Sequence, residues 1–181
     1  MGTYNGRSNS SMAPDAPITR QEAMTVVARA LELDYDAYAK TDLSTFSDRS
    51  EISNWALPYV RAMVGADYIH GRGKILAPQD NITRAEFAQI FANIIKNYIN
   101  VKGEYVKDHD GNLLVRCTDV TLKDMTIKGD LIIGCGAADG KVTLDNVTVT
   151  GRLLVWGGGT KAVYCNNGTQ MPEVVVARVD D

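Results

Sequence analysis

Two arginines occupy matching places in the chain, Arg20 within Ile18-Thr19-Arg20-Gln21-Glu22 and Arg84 within Ile82-Thr83-Arg84-Ala85-Glu86. The Thr-x-x-Glu spacing around each is that of a capping box, in which hydroxyl and carboxylate satisfy the first backbone N–H groups of a helix. This explains Thr19, Glu22, Thr83 and Glu86 but not the arginines. A cation in the first helical turn opposes the helix dipole at a small electrostatic cost. Beside unpaired N–H groups, however, a guanidinium makes a pocket suited to a carboxylate or phosphate. Anion binding is therefore a reading to weigh for Arg20 and Arg84 against simple exposure at a helix start.

Other reactive groups carry less. Asp108-His109-Asp110-Gly111-Asn112 opens like a calcium loop but lacks the Glu that completes an EF-hand. Asp-Gly between Tyr105-Val106 and Leu113-Leu114 reads instead as a hairpin turn. Neither His70 nor His109 falls in a Ser/His/Asp or Cys/His pattern. A polysaccharide-cleaving site would have to draw on Lys123, Asp124, Asp145 and Asn146, which are turn-like positions with few partners. Gly157-Gly158-Gly159 is followed by no Lys-Ser/Thr and is not a phosphate loop. Cys117, Cys135 and Cys165 are odd in number and without CxxC spacing, so they read as small core residues, with one disulfide left open. No catalytic residue, metal site or cofactor is assigned.

The elements that position these residues differ between the two halves. Thr19 is expected to cap a helix to about Leu33, with Met24, Val27 and Leu31 on its apolar face. Glu51–Val64 places Ile52, Trp55, Tyr59, Val60 and Met63 on one helical face, with Pro58 moving the start toward Trp55. Tyr68-Ile69 and Ile75-Leu76 flank His70-Gly71-Arg72-Gly73-Lys74 as a short hairpin. Thr83 then caps a helix whose apolar face runs through Phe87, Ile90, Phe91, Ile94, Ile95 and Tyr98.

From Gly103 alternation replaces helical spacing. Val120–Ile133 (VTLKDMTIKGDLII) aligns with Val142–Val155 (VTLDNVTVTGRLLV), and a weaker copy spans Val163–Val176. A period of about 21–22 residues is the mark of a solenoid, in which stacked coils share a core that one coil cannot bury alone. Inward positions in the first copy are Val120/Leu122, Met125/Ile127 and Leu131/Ile133, with a half-matching start at Leu113–Val115. Gly134–Gly140 and Gly157–Gly159 mark corners, as do the equivalent Gly129 and Gly151. An antiparallel sandwich of hairpins is the alternative, which the constant period disfavours.

The first half resembles a known family. Phe46-Ser47-Asp48, Trp55-Ala56 with Pro58-Tyr59-Val60, Ile69-x-Gly71, Pro78 and Ile82–Phe87 together resemble one complete S-layer homology module, and Ile18–Leu33 looks like the second half of a preceding one. The sequence departs from the family at Asp67, where a Gly is usual, and in the Arg72-Gly73-Lys74 turn. Such modules attach proteins to secondary cell-wall polymers of Gram-positive bacteria, often pyruvylated polysaccharides, and use the Arg of the Thr-Arg-Ala-Glu motif. The resemblance implies that Arg84 and Arg20 hold a ligand carboxylate, that Gly71 allows close backbone approach, and that Trp55 offers a face for sugar stacking. It also associates the Gly-Asp-Leu-Ile-Ile repeat with β-helical segments of surface proteins.

The expected organisation is α+β in two units: a flexible tail at 1–14, a helical S-layer-homology-like bundle with a short hairpin at 15–102, and a parallel β-helix of about three coils at 103–181. A net charge of −3 without a basic run disfavours nucleic acid. No apolar stretch approaches the roughly 20 residues of a membrane span. The polar start MGTYNGRSNSSMAPDAP is not a signal peptide, although an extracellular, wall-associated protein lacking its leader would read this way. The expected function is non-catalytic attachment to wall polymer, with the β-helix as spacer or protein-binding face. The alternatives are an interaction fragment whose module has lost glycan binding, and a polysaccharide-cleaving β-helix.

Overall fold

The computed structural model describes residues 15–134, 136, 140–157 and 162–177. The tail expected at 1–14 and parts of two glycine corners lie outside these residues. The chain divides into two compact units at Asn93/Ile94.

In the first unit, α1 (Arg20–Ala30) starts at the Thr19 capping box, with both reciprocal bonds formed. It ends earlier than Leu33, with Leu31 as its C-cap. Ala23, Met24, Val27 and Ala28 are buried along one face. α2 spans Leu57–Gly65 rather than Glu51–Val64. That start puts Pro58 in the first turn, where no intrahelical N–H is required of it. Ile52 and Trp55 consequently precede the helix, and their fates diverge: Ile52 is buried, while Trp55 is 51% exposed and not a core residue.

The expected hairpin reduces to one antiparallel bridge between Arg72 and Ile75. Glycines occupy left-handed positions on both sides of Arg72, with φ +73° at Gly71 and +66° at Gly73. A Cβ on Gly71 would lie 2.6 Å from the Ile75 carbonyl oxygen and 2.7 Å from the Phe46 ring, so this position tolerates no side chain. Asp67, at the departure from the family pattern, also has positive φ (62°), a conformation that Asp tolerates better than most residues.

α3 (Arg84–Ile94) is shorter than its apolar run. Ile90 and Ile94 are buried, but Phe91 is largely exposed and packs edge-on against Phe87 at 5.2 Å. Tyr98 is not helical: it belongs to β1 (Asn97–Ile99), which pairs in parallel with β4 (Leu113–Val115). The second unit thus begins before 103, ahead of the change in composition.

That second unit is a parallel β-solenoid. Besides β1 and β4 it contains β2 (Gly103–Tyr105), β3 (His109–Asp110), β5 (Val120–Lys128), β6 (Leu131–Ile133), β7 (Val142–Val149), β8 (Arg152–Val155), β9 (Val163–Asn166) and β10 (Glu173–Val176). One sheet runs β1-β4-β6-β8-β10 and the other β2-β5-β7-β9, with β3 beside β5. All of these pairings are parallel, which disposes of the antiparallel sandwich.

Val142 stacks on Val120, Leu144 on Leu122 and Leu153 on Leu131, building a continuous core through Val115, Ile127, Ile133 and Val149. Each such side chain, once enclosed, contributes on the order of 1.5–3 kcal/mol. Inward parity switches within β5 and β7 because Asp124 (φ 49°) and Asn146 (φ 54°) adopt left-handed backbone, and Asn146 Nδ2 donates to Asp124 Oδ1 at 2.7 Å. At the opposite corner a Cβ on Gly151 would meet Asp130 Oδ1 at 2.5 Å and the Gly129 backbone at 2.7 Å.

The segment around Asp110-Gly111 is a turn, but not one joining antiparallel hairpin strands. His109–Asp110 pairs in parallel with Ile127–Lys128, and Gly111 (φ 81°) is a coil corner. Cys117 and Cys165 are free, and Cys135 lies outside the described residues. No helix is long and apolar enough to cross a membrane, and no group of three His, Cys, Asp or Glu suited to a metal ion occurs, among the described residues.

Candidate functional site

The two Thr-x-x-Glu starts lie side by side because the chain zips them together. Arg20 N–H donates to the Asp80 carbonyl at 2.8 Å, Gln21 N–H to Pro78 at 3.0 Å, and Ile82 N–H to Ile18 at 3.0 Å. Thr19 and Asn81 form an antiparallel bridge. Asp48, from Phe46-Ser47-Asp48, fixes the approach to this zipper: its two oxygens accept from Leu76 N–H at 2.9 Å and Ala77 N–H at 2.7 Å. Gln21 is buried and clamps Ser53, accepting from its N–H at 3.0 Å and donating to its hydroxyl at 3.1 Å.

Inside this frame the arginines separate. Arg20 is only 5% exposed. Its Nε donates to the Leu76 carbonyl at 2.7 Å and its Nη1 to Glu86 Oε1 at 2.8 Å. Burial pulls its pKa below the ordinary arginine value, and Glu86 works in the opposite direction. Arg20 is thus enclosed and engaged, not an exposed first-turn cation as the motif alone implied.

Arg84 lies on the exposed side of the first turn of α3 and makes no hydrogen bond or ion pair among the described residues. The Thr83 cap beside it is complete: Thr83 N–H donates to Glu86 Oε2 at 3.0 Å, and Glu86 N–H to Thr83 Oγ1 at 3.2 Å.

Glu86 is the centre of the cluster, a role its capping position conceals. While Oε2 serves the cap, Oε1 accepts from both Arg20 and Arg72, the latter through Nε at 2.7 Å. Arg72 also reaches Asp80 Oδ2 at 2.7 Å through Nη1. The bond from Arg72 is the first cause holding the Glu86 pKa at about 2, with the Thr83 cap and Arg20 adding to it. The same bond raises the pKa of Arg72. Arg72 and Asp80 had a faint signal in the sequence, as charges flanking a Gly-rich turn and a helix start, but their meeting on Glu86 needs the fold.

The structure therefore brings Arg20 and the turn of Gly71-Arg72 to one carboxylate and leaves Arg84 and Trp55 outside it. Among the described residues neither Arg20 nor Arg84 stacks on Trp55; the cation–π pairs are Arg29 with Tyr59 and Lys141 with Tyr164. Chemically the first unit offers two distinct features, an exposed guanidinium at a capped helix N-terminus and an ion-pair cluster centred on Glu86.

The chain is similar in sequence to known proteins. The family model of the S-layer homology domain matches residues 45–88. The chain is 36% identical over 100 residues to the surface-layer 125 kDa protein of Lysinibacillus sphaericus, covering 53% of this chain and 8% of that protein. It is 32% identical over 91 residues to an amylopullulanase of Thermoanaerobacterium thermosulfurigenes, covering 49% of this chain and 5% of the enzyme. It is 29% identical over 102 residues to S-layer protein sap of Bacillus anthracis, covering 56% and 12%. The chain thus spans a small fraction of these relatives' length. No solved structure matches it at a significant level. Residues 45–88 are an S-layer homology domain, carried in the same chain as a parallel β-solenoid.

Proposed function

We propose that the chain is a non-catalytic attachment module of the bacterial cell surface, whose S-layer homology unit binds a secondary cell-wall polysaccharide. The family match and the surface-layer relatives support the attachment. The observation that carries the finer reading is Arg84, an exposed guanidinium without a partner among the described residues at the N-terminus of α3. The helix dipole and a planar fork of donors both favour a carboxylate there, such as that of a pyruvylated sugar. Trp55 supplies an exposed ring for a sugar face, and Gly71 the turn that keeps Arg72 on Glu86. Arg20, enclosed against Leu76 and Glu86, does not touch the ligand. The amylopullulanase places similar sequence within an enzyme, but the match covers 5% of it, and cleavage is not part of this proposal.

The test is co-sedimentation with Gram-positive wall sacculi, before and after acid extraction of the secondary polymer. Binding is expected to vanish with the polymer and to weaken at least about tenfold in Arg84→Gln, the loss expected for one charge-assisted hydrogen bond. Retention on extracted walls, or unchanged binding by a folded Arg84→Gln, overturns it.

A further inference from the structure

A second basic site lies away from Arg84, in the same unit. A cleft of about 410 Å³ opens between residues 39–44 and the start of α2, lined by Lys40, Asp42, Ser44, Arg49 and Arg61 among others. Its size is at the lower end of the range small-molecule pockets occupy, about 300–1,000 Å³. Three cations face one acid there, in a chain whose net charge is −3. That acid is already occupied: Asp42 Oδ1 accepts from Ser44 N–H at 2.8 Å and Oδ2 from the Ser44 hydroxyl at 2.6 Å. These bonds, and more weakly the charge of Arg49, hold its pKa below the ordinary value.

Arg61 is the decisive residue. Its Nε is buried and has no hydrogen-bond partner among the described residues. A buried polar group left unpaired is costly and rare, and calls for a missing partner. The fold enforces this placement. Val60, Ala62 and Met63 fill the core side of α2, and Arg61 sits one turn after Leu57 on the cleft side. The loop cannot fall away, because Tyr38 and Thr41 close over Gly65, where a Cβ would meet either side chain at 2.5 Å. Leu43 is buried and anchors its far end, with its carbonyl accepting from Phe46 N–H at 3.0 Å.

We propose that this cleft is a binding site for one small anion, a carboxylate or a phosphate monoester, with Arg61 and Arg49 gripping the anion and Lys40 closing over it. Two guanidiniums suit the planar, two-oxygen edge that both anions present. The site uses neither Arg84 nor the Glu86 cluster, so it stands apart from the attachment proposed above.

The experiment is an amide-resolved NMR titration of the full chain with glucuronate, glucose 6-phosphate and, as a neutral control, glucose. Saturating shifts centred on Lys40–Ser44 and Arg61 are expected with one or both acids and not with glucose; which acid binds identifies the anion. Arg61→Gln is expected to abolish them, and Lys40→Gln with Arg49→Gln to weaken binding at least about tenfold while thermal unfolding stays unchanged. Shifts that fail to saturate with either acid, or that persist in these variants, overturn the proposal. The double variant, altered only at exposed residues, decides the matter if Arg61→Gln does not fold. Small sugars replace the wall in this assay, so its outcome is independent of co-sedimentation.

Discussion

The starts of α1 and α3 share a local sequence and a local geometry but not a fate. In both, Thr and Glu exchange the reciprocal bonds of a capping box. In α1 the following arginine is buried against the Leu76 carbonyl and Glu86; in α3 it is exposed. The carboxylates differ as well. Glu22 serves the cap of its own helix, whereas Glu86 adds Arg20 and Arg72 to that duty. Four residues are enough to determine a helix start, but the role of the charge within them is set by what the rest of the chain lays over it.

The sharpest way to break this comparison is to remove each arginine in turn. Arg20→Ala strips the Leu76 carbonyl of a donor and Glu86 of one of its two cations, and is expected to cost about 2–4 kcal/mol. Arg84→Ala is expected to stay within about 0.5 kcal/mol of the parent. Urea midpoints read both, and equal losses would erase the distinction.

The glutamates follow. Glu86→Ala removes a cap and leaves Arg20 without its carboxylate, for an expected loss of about 2–3 kcal/mol, against about 1 kcal/mol for Glu22→Ala.

Acid probes the same residue without mutation. The folded-state pKa of Glu86, about 2, lies below its ordinary value of 4.5. Its contribution is therefore fully present above pH 4.5 and is lost as pH falls toward 2. Glu86→Gln should lack this part of the pH dependence, so the advantage of the parent shrinks across that window. A constant difference between the two proteins would mean the carboxylate is not held by its partners.

The smallest effect should be a shared one. Thr19→Ala and Thr83→Ala are each expected to cost about 1 kcal/mol, because the caps are alike even where the arginines are not.

Much of the fold was legible in the residues. The repeat of VTL…GDLII in VTL…GRLLV set the period, and 22 positions separate Asp124 from its stacked partner Asn146. The first coils showed only as the half-match at Leu113–Val115 because they are shorter: Asn112 lies 18 positions before Asp130, its partner at the corner. Without an echo at the common period, Asn97–Ile99 read as the end of a helix whose apolar spacing it happened to continue. Asp110-Gly111 carried a true turn signal, but nothing local says whether the strands it joins pair with each other or with the coil above.

The site was half legible. Capping boxes are local and showed plainly, whereas the burial of Arg20 depends on bonds spanning 56 and 66 positions. Trp55 misled in the opposite way. Its spacing with Ile52 and Tyr59 fits a helical stripe, but Pro58 delays the helix until Leu57 and leaves the indole outside.

The zipper between residues 18–21 and 78–82 has a consequence for where a border can be drawn in this chain. The segment delimited by family likeness, 45–88, begins after Arg20 and Gln21 and so excludes them. Cut out by itself, it would surrender the donors to Leu76 and Glu86 and the clamp on Ser53. The stretch that family likeness marks out and the stretch that holds itself together are therefore out of phase in this chain, the first leaning on a keystone that lies upstream of its own border.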